Sequence, residues 1–256
     1  MNSQTKFSKI ARFHRGYASD FLSKKDSSKN SFLQSNIKGL FFIFSYCFYQ
    51  GRRDELSEKF QKLAQKAFEL FAKREKSNIL NLSVDRIYER EKLIKRYDKL
   101  YNTLKEKGVN KEGDRLMVIG LINFIQSNKE KNIVRFLIRK IMKRDVSEAY
   151  EELDSIWSIG GKIASLILRD IVYIYKLERF LIDEDYCYLQ PVDTWVHQIS
   201  RQLKLTKHKY ICPEEAADLA KSCLKVGVNP IHFNQGAWYI GANSTKILLE
   251  NLEKIV

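Results

Sequence analysis

The sequence predicts an all-α protein, on three observations. First, 256 residues carry only 3 prolines and 11 glycines, too few for the many tight turns of a sheet-rich fold. Second, apolar residues recur at spacings of three and four along most of the chain, the signature of helices with one buried face. Third, sustained strand-like alternation is nowhere found. At 44% hydrophobic and 30% charged residues, the composition is that of an ordinary globular protein with a sizeable core.

Taken in order, residues 1–35 are polar, rich in Ser and Lys, and without a period. They read as a partly ordered N-terminal arm with room for one short helix, ahead of a helical domain over 36–256. From Ile37 to Gln50 the chain is strongly apolar, too short to span a bilayer, and reads as a buried helix. Leu56, Phe60, Leu63, Ala64, Ala67, Phe68 and Phe71 then mark an amphipathic helix. Residues 84–106 repeat the pattern through Ile87, Leu93, Ile94, Tyr97 and Leu100, with Gly108 as a stop. Further helices are expected over 112–126, 130–143 and 147–157, the last starting at Ser147 with Glu148 in its first turn. Beyond a glycine turn come 162–176, 193–204, 213–225 (Pro213 at the first position, Gly227 after the end) and 243–254.

Charge narrows the function. Lys+Arg number 45 against 31 Asp+Glu, a net +14 with a pI of about 9.5. Such an excess attracts polyanions, nucleic acid first among them; a lysine-rich solvated surface is the alternative on charge alone. Cys47, Cys187, Cys212 and Cys223 form no CxxC and no close-set ligand pattern. Reduced thiols in an intracellular protein are expected. The basic N-terminus lacks the apolar stretch of a secretory signal.

The most informative segment is Ser155-Ile156-Trp157-Ser158-Ile159-Gly160-Gly161-Lys162-Ile163-Ala164, a very short turn between two helices that together make a hairpin over 147–176. Gly160 and Gly161 permit positive φ and a close backbone approach. The unpaired N–H groups and positive end of the following helix would point out of the turn, where a phosphate oxygen fits. Ile159, Gly160, Gly161 and Lys162 are therefore candidate DNA-backbone contacts. A tight helical corner needs the same glycines. Farther on, Gln190-Pro191-Val192-Asp193-Thr194-Trp195-Val196-His197 places Asp193 at a helix start, where the dipole keeps a carboxylate ionised; an N-cap is equally served.

These two segments together resemble the signature of the helix-hairpin-helix DNA glycosylase superfamily: a hairpin closing on glycine-x-lysine, then Val-Asp-Thr at a helix start. The chain departs from the pattern at Ser158, which stands for the hairpin's first glycine, and at Ile156-Trp157, which stands for a leucine-proline. The Lys162–Asp193 interval is also longer than usual, through Glu178–Leu189, which is expected to loop out at the surface. Asp170, Asp183 and Asp185 are rival carboxylates outside a Val-Asp-Thr context. The resemblance implies two helical subdomains flanking a cleft and joined through the hairpin. Because the hairpin lysine is present, it implies a bifunctional glycosylase and AP lyase. Lys162 would attack C1′ of the damaged nucleotide, form an imine to the opened sugar and nick the strand by β-elimination. Attack needs a neutral amine, whereas free lysine titrates at about 10.4; desolvation and the helix end would favour the neutral form. Asp193 would stabilise charge developing at the sugar. A phosphate contact is the other reading of Lys162.

The resemblance also implies double-stranded DNA with a damaged base as partner, with that base flipped out of the stack. Gln50, Arg52 and Arg53 fall where wedge residues are often placed, and equally fit a basic connection. Phe233, Asn234, Gln235 and Trp238 concentrate stacking faces and amides for a base pocket, and core packing of a helix explains the aromatics as well. The cysteine spacing leaves out the iron–sulfur cluster of some branches, which points to the cluster-free branch that removes oxidised guanine. No other metal is expected, although hairpin carbonyls hold a monovalent cation in some relatives. A monomer with no membrane association is expected. A monofunctional alkyl-base glycosylase and a non-catalytic DNA-binding module are the alternatives.

Overall fold

The computed structural model describes residues 3–49, 54–75, 87–103 and 111–244, and among these every regular element is helical. The order is α1 (Ser3–Ala11), α2 (His14–Tyr17), a π-turn (Ala18–Leu22), α3 (Ser23–Ser27), α4 (Lys29–Gln34), α5 (Asn36–Cys47) and α6 (Asp54–Glu75). Then follow α7 (Ile87–Asn102), α8 (Lys111–Ser127), α9 (Ile133–Met142), α10 (Val146–Asp154) and α11 (Gly161–Tyr175). Two 3-10 turns, Glu178–Phe180 and Asp183–Leu189, lead to α12 (Thr194–Gln202), α13 (Pro213–Lys225) and α14 (Pro230–Ala242).

Side chains that cap the helices start several of them. Ser35 accepts from the Lys38 N–H at the start of α5, and Asn229 accepts from Ile231 at the start of α14. Asn132 does more: its oxygen accepts from Arg135 N–H while its Nδ2 donates to the Phe32 carbonyl at 2.8 Å, tying α9 to the end of α4. This amide also requires Gly39, because a Cβ there would lie 2.9 Å from the Asn132 oxygen.

Apolar side chains gather in two clusters. The larger takes most of its members from α2 through α11, joined by Leu177, Leu189 and, from α14, Ile231, with Phe42, Phe44, Phe48, Phe60 and Phe68 fully enclosed. The smaller is built by Phe7 and Ile10 of α1, Val196 of α12, Leu219 and Cys223 of α13, and Phe233 and Ala237 of α14. Trp238 packs against both. No helix among the described residues is long and apolar enough to cross a membrane.

Two expectations are corrected. Residues 3–34 are not a polar arm: Phe7, Ile10, Tyr17 and Leu22 are buried, and Lys6 Nζ donates to the Leu203 carbonyl at 2.8 Å. Their apolar positions are sparse because the segments are short, so no period builds up. The segment Glu178–Leu189 does not loop out. It is wound into 3-10 turns, with Leu189 and Asp185 buried, and the Asp185 carboxylate accepts from Ile182 N–H at 3.0 Å. A helix the sequence reading did not give covers Pro230–Ala242, and the expected helix over 243–254 lies, beyond Ser244, outside the described residues.

Candidate functional site at the helix-hairpin turn

The turn between α10 and α11 is anchored by its two isoleucines. Ile156 and Ile159 are buried in the larger core, and Ile159 N–H donates to the Ile156 carbonyl at 2.9 Å. Between them the chain reverses at Ser158, whose φ is 63°. The positive φ expected of the glycines therefore falls on Ser158, the position where the hairpin pattern has its first glycine. Trp157 is pushed outward and is 61% exposed. Gly160 is extended, at φ −83° and ψ 170°, and serves as the N-cap of α11 with nothing within 4 Å of where a Cβ would sit. Gly161 is needed for a different reason: a Cβ there would collide with the Tyr150 hydroxyl.

The first amides of α11 are thereby open. Ile163 and Ala164 donate to the Gly160 carbonyl at 2.8 and 3.1 Å, while the N–H groups of Gly160, Gly161 and Lys162 have no partner among the described residues. These donors and the positive helix end face the same space. Lys162 stands in this first turn and is exposed. That corrects the expected desolvation: the chain by itself leaves this amine in water.

Asp193 is the N-cap of α12, and its Oδ1 accepts from Val196 N–H at 3.0 Å. It is half-buried, beside the 41% exposed Trp195. Two of the three rival carboxylates are engaged elsewhere. Asp170 is fully buried and bonded to Tyr17 and Arg169, Asp185 caps its own 3-10 turn, and Asp183 lies exposed on that turn.

Lys162 and Asp193 begin different helices, and a chain of buried polar groups joins those helices. Arg169, two turns along α11 from Lys162, places Nε and Nη2 on Asp170 Oδ1 at 2.9 and 2.8 Å and donates to the Tyr17 hydroxyl. Its Nη1 donates to Asn234 Oδ1 at 2.6 Å, and Asn234 Nδ2 donates to the Pro191 carbonyl at 3.3 Å. Sequence reasoning missed Arg169 and Tyr17. The signal was present: Ile167-Leu168-Arg169-Asp170-Ile171-Val172 embeds two adjacent charges in an apolar run, which only mutual pairing makes tolerable. Lys25 was missed too. Its Nζ lies 3.5 Å from the Tyr46 ring centre, and burial lowers its pKa to about 8, with Arg169 adding to the effect and Asp170 opposing it.

The proposed base pocket is only partly retained. Phe233 is fully buried with its ring 4.8 Å from that of Phe7, and Asn234 is spent on Arg169 and Pro191. Neither offers a face to a flipped base, because α14 is enclosed by α1, α2, α12 and α13. Gln235 is buried with both amide atoms unpartnered. Trp238 is half-buried and meets the rings of Tyr17 and the 43% exposed Phe21 edge-on, at 5.6 and 4.9 Å. The wedge candidates Gln50, Arg52 and Arg53 lie outside the described residues. Among the described residues no group of three or more His, Cys, Asp or Glu is placed to hold a metal. Comparison of the chain with protein-family models, with curated proteins and with solved structures finds no match.

Proposed function

We propose that this chain is a DNA repair glycosylase with AP-lyase activity. In this reading it flips out and excises a damaged base, of the oxidised 8-oxoguanine type, and nicks the strand by β-elimination. The observation that carries the reading is the hairpin itself: three unpartnered amides, an open Gly160 and the exposed Lys162 amine converge at the start of one 15-residue helix. Amides at a helix start bind a phosphate without reading sequence, as a lesion-searching enzyme requires. The two apolar clusters stand for the two subdomains, and duplex DNA crosses the hairpin.

Bound DNA would cover Lys162 and supply the desolvation that the chain alone does not. The neutral amine then attacks C1′ as the glycosidic bond breaks and its electron pair leaves with the base. Asp193 faces the positive charge that develops on the sugar. The resulting aminal loses its amine proton as the C1′–O4′ bond opens to give the imine, and loss of a C2′ proton then expels the 3′ phosphate by breaking C3′–O. Trp238 and Phe21 offer aromatic surface for the flipped base.

Borohydride trapping on duplex DNA containing 8-oxoguanine tests this. A covalent adduct that disappears in Lys162→Ala is the expected result; nicking by Lys162→Ala at the normal rate overturns the mechanism. The exposure of Lys162 favours a second reading, a non-catalytic phosphate clamp, which would show DNA binding with neither adduct nor base release. A monofunctional alkyl-base glycosylase would release an alkylated base without an adduct.

A further inference from the structure

We propose that Asn234 is a positioning residue that holds the Asp193 carboxylate in register with Lys162 through the buried chain Arg169–Asn234–Pro191, an inference that rests on the glycosylase reading above. Arg169 and Asp170 are 1% and 0% exposed. Burying an ion pair in a helical core costs desolvation that apolar residues of similar size would avoid, so such pairs are weak evidence for stability and better evidence for fixed geometry. Here the geometry is over-determined. The guanidinium is held by Asp170 through Nε and Nη2, by Tyr17 through Nη2, and the Tyr17 hydroxyl in turn donates to Asp170 Oδ2 at 2.9 Å.

The remaining nitrogen, Nη1, dictates how Asn234 lies. A guanidinium only donates, so the amide oxygen of Asn234 must face it and the NH2 group must face away. A flip would set two donors against each other in a buried site. The NH2 group is thus aimed at the Pro191 carbonyl, two residues before Asp193. Pro191 has no N–H and a fixed φ, so this carbonyl is the handle by which the segment entering α12 is held. Lys162 and Arg169 are seven residues apart on α11, close to two full turns, so one rigid helix carries the amine at its end and fixes the carboxylate from its middle.

The test separates the two chemical steps. Asn234→Asp keeps an acceptor for Arg169 and removes the donor to Pro191. Single-turnover base excision is measured on a duplex containing 8-oxoguanine, and strand cleavage on a duplex with a preformed abasic site, which needs the Lys162 amine but no glycosidic bond cleavage. Expected for Asn234→Asp is a fall in excision of about 10- to 100-fold, the scale of a small misplacement at a reacting centre. Cleavage at the abasic site, the borohydride adduct and DNA affinity stay within about twofold of wild type on the same argument. The double variant Asp193→Asn with Asn234→Asp should excise no more slowly than Asp193→Asn alone. If Asn234→Asp does not fold, Asn234→Ser, whose hydroxyl is too short to bridge both partners, gives the same split. Equal loss of both activities, or no loss of either, overturns the positioning role while the glycosylase reading stands. A wild-type protein that forms no adduct on either duplex overturns both.

Discussion

At the scale of single residues, Asp193 caps α12 and is proposed to face the sugar as well, and one substitution pulls the two apart. Asn caps a helix about as well as Asp, so Asp193→Asn should leave thermal stability within about 0.5 kcal/mol of wild type. On the glycosylase reading the charge facing the sugar is lost, and excision should fall on the order of 100-fold, the usual scale for removing one electrostatic stabiliser of a transition state. Melting curves and single-turnover rates check the two halves; a large stability loss with unchanged excision would make Asp193 a cap and nothing more. The hairpin was legible in the sequence as Gly160-Gly161-Lys162, and so was Asp193. What could not be read was which backbone position turns left-handed, because Ser158 adopts φ 63° only through the anchoring of Ile156 and Ile159 on either side. Nor could it be read that Asn234 is spoken for, since its partners are 65 and 43 residues away in the chain.

Among the elements, α14 was the least legible and is the most constrained. A helix covered by α1, α2 and α12 on several sides has no polar face, so the period that reveals α6 or α9 is missing. Its glycines show how tightly it is enclosed. A Cβ on Gly236 would strike the Ile10 carbonyl of α1, a backbone atom that cannot swing aside. Gly236→Ala should therefore destabilise by about 3 kcal/mol, at the upper end for overpacking, and chemical denaturation measures it. The same helix presents His232 to α2, its ring stacked on His14 at 4.0 Å and 9°. Burial, then His14 and Lys176, lower the His232 pKa to about 4, below the ordinary 6.5. Between those values the unfolded chain takes up a proton that the folded one refuses. The stabilising contribution is full above pH 6.5 and is lost as pH falls through 4. His232→Phe should flatten the decline of melting temperature across that window; an unchanged decline would assign it to carboxylates instead.

For the molecule as a whole, the all-α class follows directly from the scarcity of turn residues and from the helical spacing, and the structure has it. The division into two apolar clusters was not readable, because it depends on which helices meet. The net charge of +14 makes its own prediction: duplex affinity should fall about 1000-fold or more between about 50 and about 200 mM salt, as counterions released by several phosphate contacts compete back. Filter binding at a series of salt concentrations reads the slope, and a flat one would remove charge from the argument. The docking of α1 and α2 on α14, flanked by Lys6 of α1 on the Leu203 carbonyl after α12 and by the Tyr239 hydroxyl on Asp20 of the π-turn, has a consequence for biosynthesis. α1 and α2 leave the ribosome well before α14 and find their seat only once α14 has been made. At about 5–20 residues per second, the wait is roughly 10–40 s. Through that interval Phe7 and Ile10 stand uncovered, which makes this segment a client for holdase chaperones until α14 docks.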